Sequence, residues 1–369
     1  MAEEPLGVAV ADGGARIELC WRGGRVASAP APWLFDMAEA GEGHASGHRR
    51  RGGLETIACA VQAAALDGSD VVLRFTSEAA DRRIPTAAFC GDRAPGAGDE
   101  IEHWPSPERL AETRPIEFDA YLADDGVLAQ ALQEVARLGI VFLADAGVRP
   151  LAVECAVARF GYIRETNYGR LFDVREEAAP SHLAYTASEL ELHTDNPYRD
   201  PAPTLQLLHV IEAADVGGES QFVDGFAQAE ALRREAPNRF RVLTATPVEF
   251  AFTGSAGERY AATAPVIEVA PDGRLKALRV NHRAFRPPPL ASGVVEAWYE
   301  AYLDLYQRLH APAARLRRKL APGDMVMFDN RRVLHGRSAY GGRRWLQGCY
   351  AERDGLYATL ARLRGAARD

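Results

Sequence analysis

The chain has 369 residues, a formal net charge of −8 and 25% charged residues, a composition ordinary for a soluble globular protein and a length sufficient for one large domain beside a small one. The acidic balance excludes nucleic acid and anionic membrane surfaces as the main partners. Five scattered cysteines (Cys20, Cys59, Cys90, Cys155, Cys349) without a C-x-x-C spacing give neither a disulfide framework nor a zinc knuckle. The acidic N-terminal residues and the lack of any run of membrane-spanning length lead to the expectation of a soluble, cytoplasmic protein.

In chain order, residues 6–90 carry short alternating runs between Gly-rich turns, among them Ala15-Arg16-Ile17-Glu18-Leu19-Cys20-Trp21 and Val71-Val72-Leu73-Arg74-Phe75. This pattern predicts a small β-rich domain over 1–105, with a Gly-, Pro- and acid-rich linker at 94–107. The basic run His48-Arg49-Arg50-Arg51 reads as part of a solvated loop. Over 106–369 the pattern predicts a helix at 127–138, closed by Gly139 and followed by a strand at 140–143. Further strands are expected at 204–211, 221–223, 266–269, 325–328 and 346–350, and helices at 226–234, 294–309 and 356–364. Many short strands with a few flanking helices predict a mainly β fold, a double-sheet jelly roll whose mouth can hold a metal.

The chemistry concentrates in His193-Thr194-Asp195-Asn196-Pro197 and in His335 of Val333-Leu334-His335-Gly336-Arg337. Two histidines and a carboxylate are the ligand set of a non-haem Fe(II) oxygenase, which leaves iron positions open for a cosubstrate and O₂. His-x-Asp suits a strand end or the turn after it, where side chains two positions apart converge on one ion. The third ligand must come from a remote strand, and Gly323-Asp324-Met325-Val326-Met327-Phe328-Asp329-Asn330 supplies one just before His335. Taken alone, a His-x-Asp pair is more often a pair of surface polar residues. A lone histidine in an apolar strand is more often a satisfied core residue, which is the reading for His209. Downstream, Arg343-Arg344-Trp345-Leu346 offers an arginine for a two-pronged salt bridge with a carboxylate; the plainer alternative is a surface arginine pair.

Further motifs follow in order: Asn167-Tyr168-Gly169, Ala184-Tyr185-Thr186, Leu205-Gln206-Leu207-Leu208-His209, Gly217-Gly218-Glu219-Ser220-Gln221-Phe222-Val223-Asp224-Gly225-Phe226, Pro322-Gly323-Asp324, Phe328-Asp329-Asn330, Leu334-His335-Gly336-Arg337 and Gly348-Cys349-Tyr350-Ala351. With these, the chain from about Trp33 onward resembles the γ-butyrobetaine dioxygenase family, within the taurine-dioxygenase-like Fe(II)/2-oxoglutarate oxygenases. The resemblance implies a double-stranded β-helix in which His193, Asp195 and His335 bind Fe(II). It implies that Arg344, assisted by the Ser220 hydroxyl, holds the distal carboxylate of 2-oxoglutarate. In the family reaction O₂ is split, 2-oxoglutarate is decarboxylated to succinate and an unactivated C–H bond becomes an alcohol. Substrates of this branch carry a quaternary ammonium group, which is recognised by ring faces because it has no N–H to donate. The cage positions correspond to Tyr168, Phe172, Tyr185 and Tyr350, with Phe172 where butyrobetaine enzymes carry tryptophan. For each of these aromatics the plainer alternative is core packing.

Three departures stand out. The segment Trp33-Leu34-Phe35-Asp36 is followed by Met37-Ala38-Glu39-Ala40-Gly41 without the cysteines of the family's zinc cluster, so a structural zinc is not expected, His44 and His48 being the remaining ligand types nearby. Asn196 follows the iron aspartate, where the resemblance places a further cage tyrosine, and its amide can donate to an anion. The family's carboxylate-binding asparagines correspond to His182 and Arg283, a possible cation and a certain one. For His182 the plainer alternative is a polar loop residue. A buried arginine at 283 would require an anionic partner, and its planar fork suits a tetrahedral oxyanion.

Together these residues point to a small trimethylammonium zwitterion with a strongly charged acid end, 2-(trimethylamino)ethylphosphonate, hydroxylated at the carbon bearing phosphorus. The alternatives are a γ-butyrobetaine dioxygenase forming carnitine, a trimethyllysine dioxygenase (whose substrate α-amino group Arg283 would repel), a betaine-binding sensor without catalysis, and a metal-dependent isomerase. The expected ligands are therefore Fe(II), 2-oxoglutarate, O₂ and a small-molecule substrate. The expected assembly is a homodimer.

Overall fold

A computed structural model of the chain describes residues 5–40, 59–78, 80–90, 101–111, 113–176, 186–254, 257–289 and 293–366. It divides into two compact units, Met1–Gly96 and Ala97–Asp369. In the first, the strands Gly7–Ala11, Arg16–Cys20 and Val26–Pro30 form one antiparallel sheet, and Val61–Asp67, Asp70–Phe75 and Arg82–Pro85 form another. Alternation puts Ile17, Leu19, Val71, Leu73 and Phe75 into a core shared with Leu34 and Phe35. Those last two lie on a helix, Ala31–Ala40, which the alternating pattern of the unit did not indicate. His44 and His48 fall outside the described residues.

The second unit is built on two sheets. A seven-stranded sheet runs in the order Phe172–Arg175, Trp345–Ala351, Leu205–Glu212, Met325–Asp329, Ile140–Ala144, Ile116–Glu117, with Ile163–Arg164 also paired to Trp345–Ala351. A four-stranded sheet has the order Leu190–His193, Val333–Arg337, Ser220–Asp224, Leu316–Arg318. The seven-stranded sheet is buried on both faces. Val141, Leu143, Leu205, Leu207, Met325, Met327 and Cys349 point one way, onto Leu128, Leu132 and Val135 of the helix Asp125–Leu138 and Leu356 and Leu360 of the helix Arg353–Ala366. Ile140, Phe142, Val326, Phe328 and Leu346 point the other way, onto Phe222, Val333 and Leu316 of the smaller sheet. The Phe222 ring sits 5.8 Å from both Phe142 and Phe328, joining the two sheets face to face. The outer face of the smaller sheet, through Val223 and Leu334, meets Leu232 and the long helix Val295–His310.

Local chemistry accounts for the element ends. Asp124 caps the helix Asp125–Leu138 by accepting from the Gly126 and Val127 amides. Gly139 ends it at φ +80°, where a side chain would be strained. The segment expected as a linker behaves differently from Ile101 onward. The Trp104 indole donates to Leu138 O at 2.8 Å and its main-chain amide to Asp224 Oδ2 at 3.0 Å, so this stretch is anchored in the second unit.

Asp224 is the hub of that anchor. Its fully buried carboxylate caps the helix Gly225–Glu235 and forms a two-pronged pair with Arg332, at 2.8 and 3.1 Å. Removing one partner of a buried pair leaves the other charge uncompensated, at a cost of ~3–5 kcal/mol. Asp224→Ala is therefore expected to lower the unfolding free energy by about that amount in urea titrations. A loss below ~1 kcal/mol would mean that Arg332 finds other acceptors.

Candidate metal centre and active-site cavity

Between the two sheets lies a cavity of about 390 Å³. Its floor is the pairing of Leu190–His193 with Val333–Arg337, in which His193 stands directly opposite His335. His193 is the last residue of its strand, and Asp195 follows in the bend after it. The third member sits on its own strand of the smaller sheet. The strand expected to deliver it, Met325–Asp329, belongs to the larger sheet. The ligand-type atoms of His193, Asp195 and His335 lie within 4.8 Å of one another, a group able to hold a metal ion.

Hydrogen bonding fixes the state of this group. His193 Nδ1 lies 2.8 Å from the Glu191 carbonyl, which can only accept, so in the neutral ring Nδ1 carries the proton. His193 Nε2 then points a lone pair at Asp195 Oδ1, 3.2 Å away. His335 Nε2 lies 3.7 Å from Asp195 Oδ2. Burial and the neighbouring His193 push the His335 imidazole down to about 3, so this ring is unprotonated at neutral pH. Burial alone would raise the Asp195 carboxyl, but its polar surroundings, the donating Tyr350 hydroxyl among them, hold it well below the usual carboxylate range. Two imidazole lone pairs and a carboxylate facing one another repel unless a cation lies between them. The donor set of nitrogen and oxygen suits a divalent first-row metal such as Fe(II).

Asp195 is aligned from several sides. Gln206 Nε2 and the Tyr350 hydroxyl donate to Oδ2 at 2.9 and 2.8 Å. The buried Asn330 holds the main chain, accepting from the Asp195 amide at 2.7 Å and donating to the Asp195 and Pro203 carbonyls at 3.1 and 3.0 Å.

Arg344 and Ser220 both line the cavity. Ser220 stands opposite Arg337 in the strand register, and the Arg337 and Arg344 guanidiniums lie 4.7 and 5.8 Å from the Tyr340 ring. Arg344 is only 8% exposed and pairs with no described carboxylate. Burial and the charge of Arg337 lower it to about 10, so it remains a cation at neutral pH. Its neighbour Arg343 reaches into solvent beside Glu212. With Arg337 beside it, Arg344 makes this corner of the cavity positively charged.

The remaining expected residues divide. Tyr168, Phe172, Asn196, Arg283 and Tyr350 line the cavity. His182 and Tyr185 fall outside the described residues. The Phe172 ring lies 5.0 Å from Tyr350. It packs onto Gly348, its partner in the strand register, where a Cβ would come within 2.6 Å of the ring. Tyr350 has two tasks, since its ring is a wall while its hydroxyl holds Asp195. Arg283 departs from expectation: it is exposed rather than buried, in a turn after Asn281, and water screens a charge there. It makes no hydrogen bond or ion pair with a described residue. His209, on the opposite face of its strand, is buried with Nε2 2.7 Å from Gly147 O and takes no part in the cavity.

Sequence reasoning missed Gln206, Asn330, Tyr198, Phe252 and Asn281. Gln206 had a usable signal, a polar residue at the inward phase of an apolar strand.

Residues 104–350 match the family model described as "Taurine catabolism dioxygenase TauD, TfdA family". The chain belongs to this family. It is 40% identical over 244 residues to γ-butyrobetaine dioxygenase of Pseudomonas sp. (strain AK-1), covering 65% of this chain and 63% of that protein. It is 33% identical over 264 residues to mitochondrial trimethyllysine dioxygenase of Gallus gallus, covering 70% and 62%. The matches thus span somewhat less than two thirds of the length of these relatives. A crystal structure of a putative α-ketoglutarate-dependent taurine dioxygenase from Burkholderia xenovorans shares the fold with a TM-score of 0.50 at 16% identity, over 64% of this chain and 86% of that one. No helix among the described residues is long and apolar enough to cross a membrane.

Asn330→Ala strips three buried main-chain groups of their partners, each worth ~1–3 kcal/mol when left unpaired. Allowing for partial replacement by water, a loss of about 3 kcal/mol in unfolding free energy is expected. A loss under ~1 kcal/mol in urea titrations would show that Asn330 does not hold the Asp195 turn.

Proposed function

We propose that the chain is an Fe(II)- and 2-oxoglutarate-dependent hydroxylase of a small trimethylammonium zwitterion, built on a double-stranded β-helix. The observation that carries this reading is one cavity containing both the His193–Asp195–His335 group and a buried Arg344 with no carboxylate partner among the described residues. In this reading His193, Asp195 and His335 hold Fe(II), and Arg344 with Ser220 holds the distal carboxylate of 2-oxoglutarate. Bound there, iron and its cosubstrates would supply the oxidising chemistry by which O₂ gives one oxygen atom to a C–H bond, making an alcohol, and the other to 2-oxoglutarate, which becomes succinate and CO₂.

The protein's own part is placement. Tyr350 and Gln206 keep Asp195 ionised and pointed at the metal position. The rings of Tyr168, Phe172 and Tyr350, with Tyr185 as a further proposed member, offer π-faces to a quaternary ammonium group. The apolar lining, Leu208, Phe222 and Leu346 among it, excludes water from the reacting carbon. Asn196 and Arg283, with His182 as the third proposed member, receive the acid end.

For the substrate, 2-(trimethylamino)ethylphosphonate is favoured because the acid end meets a full cation. A phosphonate offers more negative charge and more acceptor oxygens than a carboxylate, by analogy with phosphate. γ-Butyrobetaine is the second reading, favoured by the name of the Pseudomonas relative.

Succinate formation by the Fe(II)-loaded protein tests both readings. Turnover with 2-(trimethylamino)ethylphosphonate is expected to exceed turnover with γ-butyrobetaine, and to vanish in Asp195→Ala. Preference for γ-butyrobetaine would assign the carnitine-forming reaction instead, and full activity in Asp195→Ala would remove the ligand assignment. Because Arg283 is exposed, its contribution is discounted for screening. Arg283→Asn is expected to raise KM for the phosphonate roughly threefold, ~0.6 kcal/mol, and for the carboxylate less. Equal changes would mean that Arg283 does not read the acid end.

A further inference from the structure

Asn196 is 4% exposed, lines the cavity and adopts φ +52°, a conformation asparagine tolerates better than most side chains. Its Nδ2 finds no acceptor among the described residues. A buried orphan donor is costly enough to require an explanation. Its other end supplies one, because Asn196 Oδ1 accepts from the Tyr198 hydroxyl at 2.6 Å. Tyr198 in turn lies 3.1 Å from the Tyr168 hydroxyl, and Tyr168 is hydrogen-bonded to the Asn167 side chain. Asn167 Oδ1 accepts from Arg199 Nη2.

The chain of contacts has a direction. A guanidinium can only donate, so it claims the oxygen of Asn167 and leaves that amide's N–H₂ for Tyr168. The Tyr168 proton then goes to Tyr198, and the Tyr198 proton goes to Asn196 Oδ1. The amide that ends the relay is left with its donor side unpaired at the cavity wall. Arg199, which does not line the cavity, is held in place by its position over the Tyr260 ring at 4.4 Å.

We infer that Tyr198 is a specificity-determining positioning residue: at the end of a one-way hydrogen-bond relay from Arg199 through Asn167 and Tyr168, it orients Asn196 so that the cavity presents a fixed N–H donor to the anionic end of the substrate. The inference rests on the trimethylammonium-zwitterion reading and deepens it. The cavity accepts a hydrogen-bond acceptor at that end and disfavours a donor, because an N–H or O–H there would face Asn196 Nδ2.

The test is a double-mutant cycle between Tyr198→Phe and Asn196→Ala, which keeps the Tyr198 ring stacked 4.9 Å from Phe252. Binding is read by anaerobic calorimetry on the Fe(II)- and 2-oxoglutarate-loaded protein, with 2-(trimethylamino)ethylphosphonate, γ-butyrobetaine and tetramethylammonium as probes. Tyr198→Phe is expected to weaken both acid-bearing ligands about tenfold. It should leave tetramethylammonium, which has no acid end, within twofold, and have no further effect in the Asn196→Ala background. Additive losses, or an equal loss for tetramethylammonium, would overturn the role of Tyr198 while leaving the substrate reading intact. Wild-type protein that binds none of the three would overturn the substrate reading, and the relay's purpose with it.

Discussion

The pairing of Leu190–His193 with Val333–Arg337 is the constraint on which the rest of the site depends. Residues more than a hundred positions apart become cross-strand neighbours, and the register sets His193 against His335. A slip of one residue would turn one of the two rings to the opposite face of the sheet, into the apolar layer that contains Leu192 and Leu334. The hydrophobic core therefore enforces the geometry of the polar centre: the alternate positions of the same strands are fixed by burial against the helix Val295–His310. The ligand group needs little further steering, since Asp195 arrives in the bend directly after His193 and is caught by Asn330 from the larger sheet.

Around that centre the cavity manages opposite charges without cancelling them. Asp195 receives donors from Gln206 and Tyr350 that keep it an anion. Arg344 has no carboxylate partner among the described residues and remains a buried cation. A protein tolerates a buried unpaired charge only where something else completes it, and the proposed function supplies an organic anion for Arg344 and a metal for the group around Asp195. The adjacent arginines at 343 and 344 show how narrowly this is set, because consecutive residues point into solvent and into the cavity.

The long, regular elements were legible in the sequence. The helix at 127–138 carried an apolar period and a glycine stop, and the strand at 204–211 was mostly apolar on both faces because both faces are covered. Three short strands at the site, Phe172–Arg175, Leu190–His193 and Val333–Arg337, were not legible. Phe172–Arg175 and Leu190–His193 are four residues each. Val333–Arg337 places His335 and Arg337 on its inward positions, with Gly336 between them, so no apolar alternation survives. The His-x-Asp pair, the remote histidine and Arg344 could be read from residue type and order alone. Tyr198, Asn330 and Asn281 could not, because their significance lies in what they touch. Arg283 illustrates the same limit from the other side: residue type suggested a cation at the acid end, but its exposure is a property of the turn that carries it.

The two-faced strands of the larger sheet have an evolutionary corollary. Along Leu205–Glu212 and Trp345–Ala351, one set of alternate side chains (Gln206, Leu208, Leu346, Tyr350) borders the cavity, while Leu205, Leu207, Cys349 and Ala351 are locked into the helix-covered layer. Divergence can then proceed at every second residue, reshaping which ligand is accepted while the intervening residues preserve the scaffold. A lineage of such proteins can wander widely in chemistry within a nearly constant architecture.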